Sequence, residues 1–164
     1  MTHHSASQPL YVSASAPLGR EWRNVLFFVV IGPPVGKARA RIVYGKGAYT
    51  PEKTRAAEEE IGWLAKEAWA GKPLQDGPVS LTVYFFFPIP RSWPREKRVL
   101  ALNCELLPTV KPDLDNCTKL VSDALTGIIW KDDSQVIFIR GRKFYSDKPR
   151  TEISVRALDE VIDA

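Results

Sequence analysis

The sequence predicts a single α+β domain in which a mixed β-sheet packs against helices. Three observations carry that expectation. Short runs rich in β-branched and aromatic residues recur at Val25–Ile31, Val79–Phe87, Ser134–Tyr145 and Thr151–Leu158. Two stretches between them, 51–70 and 115–125, place apolar residues at helical spacing. The resulting order is strand, hairpin, helix, strand, short helix, helix, strand, strand, the pattern of an α+β domain. A chain of 164 residues suits one such domain and would cramp two.

Each element has a local reason. Residues 1–20 are rich in Ser, Ala and Pro with little periodicity, and are read as a flexible N-terminal arm ahead of a domain over 21–164. Val25–Ile31 is a continuous apolar run ended by Gly32-Pro33-Pro34, the mark of a buried strand. Gly45-Lys46-Gly47 lies between Arg41–Tyr44 and Ala48–Thr50 and predicts a small hairpin. Thr50 is the expected N-cap of the next helix, with Pro51 at its first position. Ala57, Ile61, Leu64, Ala65 and Trp69 form its apolar stripe, and Gly71 stops it. Val79–Phe87 is a second strand closed by Pro88, and Trp93–Asn103 holds a short helix. Asp115–Leu125 is helical, with Leu120, Val121, Ala124 and Leu125 on one side and Gly127 at its end. Ser134–Tyr145 and Thr151–Leu158 are the last strands, joined by a polar turn.

Composition removes several chemistries. Two cysteines, Cys104 and Cys117, without a C-x-x-C pair argue against a disulfide scaffold and against a zinc site. The only histidines, His3 and His4, sit in the arm, so a histidine general base or a catalytic triad lacks raw material. No apolar run approaches the roughly 18 residues of a membrane span, so no membrane partner is expected. The arm has no signal-peptide pattern, which makes the cytoplasm the expected compartment.

The formal net charge of +4 conceals opposing regions. Residues 20–55 carry eight basic and two acidic side chains, net +6. Residues 140–150 carry five basic and one acidic, net +4. Between them, residues 113–133 hold five aspartates against two lysines, net −3. One reading is a basic surface for a phosphate backbone around a carboxylate site; the other is ordinary solvated charge. Lys37, Arg39, Arg41 and Lys46 alternate with small residues beside glycines and are the candidate DNA contacts.

The segment Lys111–Val136, KPDLDNCTKLVSDALTGIIWKDDSQV, concentrates the chemistry. Asp113 and Asp115 can converge at a helix mouth, where helix capping is an equally available role. Lys119 lies one turn after Asp115 and Asp123 one turn further, either as i,i+4 ion pairs or as an ammonium placed beside a phosphate. Asp132 and Asp133 precede a strand and read as turn residues or as a third carboxylate contribution. Carboxylates from two elements would form a hard oxygen site suited to Mg²⁺, with Mn²⁺ possible, able to activate water and stabilise charge on a phosphodiester.

The pattern KPDLDN…K…DAL…DDSQV resembles that of the RusA family of Holliday junction resolvases. The upstream G-x-P-x-x-K-x-R-x-R and Y-T-P pieces within Gly32–Thr54 are similar to the basic N-terminal part of that family. The resemblance implies a RusA-like fold and Mg²⁺-dependent paired nicking of four-way DNA junctions by a homodimer. Asp113, Asp115 and Asp133 match the family's metal-binding acids and Lys119 its catalytic lysine. Asp132 matches an accompanying acid, and Asp123 an aspartate of structural or supporting role. A flap or fork nuclease of the same fold and a non-catalytic branched-DNA module are the alternatives.

Overall fold

The computed structural model describes residues 20–38, 41–43, 47–49 and 51–158. Residues 1–19 of the arm, with both histidines, and Arg39 and Lys46 therefore lie outside the described residues, as does the side chain of Arg41. The elements are β1 (Trp22–Ile31), β2 (Arg41–Val43), β3 (Gly47–Tyr49), α1 (Glu52–Trp69), β4 (Val79–Pro88), α2 (Arg95–Leu102), α3 (Leu114–Leu125), a 3₁₀ turn (Asp133–Gln135), β5 (Val136–Ser146) and β6 (Arg150–Leu158).

Four strands make one sheet in the order β1-β6-β4-β5. β4 and β5 run parallel, and the other two pairs are antiparallel, so the sheet is mixed as expected. β2 and β3 form the expected antiparallel hairpin. Alternation along β4 sends Val79, Leu81, Val83, Phe85 and Phe87 into the core. The predicted helix stripes meet them: Ile61, Ala65 and Trp69 from α1, and Leu120, Val121, Ala124 and Leu125 from α3. Full burial of one such aliphatic side chain is worth roughly 1.5–3 kcal/mol. α1 packs on β1 and α3, and α2 and α3 pack against β5. Ala101 of α2 joins the same core, so the helices share one face of the sheet. Among the described residues no helix is long and apolar enough to cross a membrane.

Several boundaries differ from the sequence reading. β1 starts at Trp22, because Arg23 and Asn24 continue the pairing with β6 on an exposed edge strand that needs no apolar run. Pro51 is the N-cap residue of α1, one position later than expected, and Thr50 lies outside the described residues. The helix ends through Ala70, which itself takes the left-handed conformation (φ 53°) and donates its N–H back to the last turn. α3 begins one residue early, at Leu114, which moves Asp113 to the N-cap. Gly141 of β5 allows the first turn of α3 to seat directly on the strand. A Cβ there would lie 3.1 Å from both Leu114 Cδ1 and Thr118 Oγ1.

Candidate active site

Three segments build the site: the N-terminus of α3, the connection 126–135, and residues 32–38 leaving β1. At the first, Asp113 has extended backbone (φ −69°, ψ 152°), and its side chain makes no capping hydrogen bond. An N-cap aspartate usually contributes about 1 kcal/mol by such a bond, so capping does not account for this residue. Asp113 and Asp115 are both exposed, and among the described residues neither has an ion pair or side-chain hydrogen bond. Two unpartnered carboxylates thus stand at the positive end of a helix.

The approach to Asp113 is fastened from below. Lys143 Nζ donates to the carbonyls of Val110 and, at 3.0 Å, Pro112. Segment 32–38 docks alongside through Lys37 N–H to Asn116 O at 2.8 Å. Gly36 is required at that contact, since a Cβ would fall 2.6 Å from Pro112 Cβ in a rigid ring. Gly36→Ala should therefore push the Asp113 loop aside and lower the DNA cleavage rate by about tenfold. Cleavage assays beside thermal melts check this, and an unchanged rate would show that the loop tolerates the shift.

The connection 126–135 positions Asp133. Its Oδ1 accepts from Thr126 Oγ1 (2.6 Å), Ser122 Oγ (3.2 Å) and Trp130 Nε1 (3.5 Å). Its Oδ2 accepts from Lys119 Nζ at 3.2 Å. The Thr126 bond is the main reason the carboxyl lies below the usual range; burial opposes it, and Lys119 and Trp130 reinforce it. A lowered carboxyl pKa stabilises the fold above the ordinary value of 3.8, and that stabilisation is lost as pH falls through the folded value. The whole connection is clamped to the 75–77 loop by Gln75 N–H to Ile129 O (2.7 Å) and Gln135 Nε2 to Gln75 O (2.9 Å).

Asp132 is turned to local use. It caps the 3₁₀ turn, accepting from Ser134 N–H at 2.8 Å, while Gln135 Oε1 accepts from the N–H of Asp132 at 3.1 Å. Of the adjacent pair, Asp133 is the one that meets Lys119.

Behind these lies a chain of alternating charge. Lys119 also pairs with Asp123 at 2.6 Å, one helical turn on. Asp123 accepts from Lys37 at 2.6 Å through its other oxygen, and Lys37 pairs in turn with Glu58 of α1. The Asp123 and Asp133 bonds, against a smaller opposing effect of burial, hold the Lys119 ammonium above the ordinary lysine value. Asp115, Lys119, Ser122 and Asp133 line a cleft of about 790 Å³ beside Leu114, Ile139 and Gly141. Asn116 joins it to a second cleft lined by Lys37, Lys53, Lys111 and Asp113. Cys117 is no nucleophile, since burial pushes its thiol up to about 11.

A family model described as endodeoxyribonuclease RusA matches residues 32–156, most of the chain. The chain belongs to the RusA endodeoxyribonuclease family. It is therefore an enzyme of that class, a hydrolase of DNA phosphodiester bonds. It is similar to uncharacterized protein YqaN of Bacillus subtilis (strain 168), at 37% identity over 134 residues covering 79% of this chain and 94% of the relative. It is also similar to crossover junction endodeoxyribonuclease rusA of Lactococcus phage r1t, at 32% identity over 81 residues, 48% of this chain and 53% of the relative.

A RusA nuclease is expected to use a hard divalent cation, and the donors here suit one held sparsely. Among the described residues no three His, Cys, Asp or Glu side chains form a ready metal cage. Mg²⁺ is commonly held by one or two carboxylates with water and substrate phosphate completing its shell, and two unpartnered carboxylates are what Asp113 and Asp115 provide.

The residues the sequence singled out thus divide. Asp115, Lys119 and Asp133 share one cleft, Asp113 lines the neighbouring one, Asp123 stands behind Lys119, and Asp132 faces its own turn. Lys37, expected on the DNA, is held between two acids. Glu58, Ser122, Thr126, Trp130 and Lys143 were not singled out for these roles. Ser122 and Thr126 carried a weak signal, as hydroxyls one helical turn apart leading toward the paired aspartates. Thr126→Val keeps the shape and removes the shortest bond to Asp133, so cleavage should fall by about tenfold, in the range of lost supporting bonds at such sites. Thr126→Ser should recover most of it; equal rates in wild type and the valine variant would sink this role.

Proposed function

We propose that this chain is a Mg²⁺-dependent, structure-selective endonuclease that resolves four-way DNA junctions by paired symmetric nicks as a homodimer. The observation that carries the reading is the pair of unpartnered carboxylates, Asp113 and Asp115, at the α3 N-terminus beside the tethered ammonium of Lys119. Asp113 and Asp115 would hold the ion, with Asp133 contributing from across the cleft. The bound ion supplies activated water and charge neutralisation at the scissile phosphate.

The protein's own residues do the rest. Lys119 faces the cleft with a fixed positive charge, where it stabilises charge developing on the phosphate. Asp133 and Asp123 hold that ammonium in place, so its position is set before substrate arrives. Lys53 and Lys111, exposed beside Asp113, favour entry of a phosphate backbone along the second cleft. Arg39, Arg41 and Lys46 remain candidate backbone contacts. A twofold dimer supports the symmetric outcome, because it presents identical sites to two strands of like polarity.

The test is a labelled four-way junction incubated with the protein in Mg²⁺ or in chelator. Paired symmetric nicks that need the metal support the reading. Binding without cleavage in any divalent metal makes the protein a junction-binding module. Preference for flaps or forks over junctions changes the substrate and leaves the chemistry.

A further inference from the structure

The sheet has a second face. Cross-strand partners share a face, and the register groups Thr82, Arg140 and Ser154; Tyr84, Arg142 and Glu152; and Phe86, Phe144 and Arg150. These are the residues alternate to the buried β4 set Val79, Leu81, Val83, Phe85 and Phe87, so they point away from α1 and α3. Thr82 and Ser154 are themselves buried, whereas Arg142 is exposed and Arg140, Arg150 and Arg156 are half-buried.

The chemistry of this face is unusual for a surface left to water alone. Phe86 stacks on Phe144 at 5.3 Å, and Tyr84 meets Phe144 edge-on at 5.9 Å. Arg150 lies 3.7 Å from the Phe86 ring centre, Arg142 5.2 Å from Phe144, and Arg140 5.8 Å from Phe138. With Arg156, the register partner of Ser80, the face carries four arginines against the single acid Glu152. Only Arg150 is neutralised by an ion pair, to Glu152 at 2.7 Å; Arg140, Arg142 and Arg156 have none among the described residues.

We infer that this face is a second DNA surface, which holds the phosphate backbone of an arm other than the one in the cleft. The inference rests on the junction reading above and adds a site to it. Asp115, Lys119 and Asp133 lie with α3 on the helical side, so a duplex engaged there is separated from Arg140 and Arg142 by the sheet itself. A branched substrate has further arms to offer. Charge complementarity selects the partner: guanidinium groups held against rings form a positive platform that matches phosphates and stacks on bases. A second copy packed face to face would instead bring excess arginines together, at a cost in like-charge repulsion. Phe27 and Ile31, exposed on β1 at the border of the same face, are the feature that such a copy would use.

The test uses the full chain and a fluorescent four-way junction in chelator, so that binding is read without cleavage. Arg140→Gln combined with Arg142→Gln should weaken binding about tenfold near 0.1 M salt. It should also flatten the plot of log affinity against log salt by about 1.8, two contacts at about 0.9 each. Arg140→Lys with Arg142→Lys keeps the charge and should restore the slope, which separates lost contacts from a damaged fold. Sedimentation should give the wild-type mass for both. An unchanged affinity and slope in the glutamine variant overturns the inference, as does a slope lost equally in the lysine variant. A changed sedimenting mass in the glutamine variant also overturns it and assigns the face to a second copy. Failure of the wild type to cut the junction in Mg²⁺ would reject the functional reading without touching this binding comparison.

Discussion

Asp133→Asn is expected to lower single-turnover cleavage by at least about 100-fold, equivalent to about 2.7 kcal/mol of transition-state stabilisation. The reason is how many groups converge on this carboxylate. Thr126, Ser122 and Trp130 donate to one oxygen and Lys119 to the other. Asparagine offers one acceptor oxygen in place of two. If that oxygen faces Thr126 and Trp130, the amide NH₂ points at the Lys119 ammonium, donor against donor. If it is flipped, the fully buried Trp130 keeps Thr126 Oγ1 (3.2 Å) as the acceptor of its indole N–H but faces the amide NH₂, donor against donor. In the first case Lys119 is left to Asp123 alone and is drawn back from the cleft; in the second it keeps a neutral amide oxygen in place of the carboxylate. Stability should fall by about 1–2 kcal/mol for the lost charge-assisted bonds. Rapid-quench cleavage beside urea unfolding measures both quantities. A variant that unfolds as expected and cuts at the wild-type rate would remove Asp133 from the chemistry.

Lys37→Met is expected to destabilise the fold while leaving the salt dependence of DNA binding unchanged. Lys37 joins Glu58 to Asp123, and all three side chains are only 22–32% exposed. Removing the shared cation leaves two part-buried carboxylates together. Breaking a fully buried pair costs about 3–5 kcal/mol; partial solvent access reduces the expectation here to roughly 1–3 kcal/mol. Burial lowers the pKa of this lysine, yet the bonds to Asp123 and Glu58 outweigh it and hold the ammonium above its ordinary value of 10.5. The raised pKa means that this contribution is fully present below 10.5 and is lost as pH rises through the folded value. The difference between wild type and variant should therefore persist at neutral pH and shrink in strong alkali. If Lys37 instead served a phosphate, its loss would flatten the salt plot by about one unit.

The sequence made the architecture legible because its periodicities were clean. The alternation in β4 and the stripe Leu120, Val121, Ala124, Leu125 in α3 each had one physical solution, and both lie in the core. Boundaries were less legible where tertiary pairing extends an element past its apolar run, as at Trp22 and Arg23. The acids of the site stood out because they are densely spaced in one short segment. Their division of labour did not. Asp132 and Asp133 are adjacent and chemically identical, and only the 3₁₀ turn sends one to its own backbone and the other to Lys119. Lys37 belonged by composition to a basic cluster, yet its partners come from 21 and 86 residues away, a separation that no local pattern encodes. The roles of Thr126 and Trp130 depend in the same way on how the connection folds back on α3.

The most direct measurement compares Asp115→Asn with the wild type on one labelled four-way junction, reading binding in chelator and cleavage in Mg²⁺. Asp115 has no partner among the described residues, so the substitution should leave the fold intact. Affinity is expected to stay within about threefold of wild type, about 0.65 kcal/mol, and cleavage to fall by at least about 100-fold. Cleavage at the wild-type rate by Asp115→Asn would contradict the assignment of this carboxylate, and with it the proposed site at the mouth of α3.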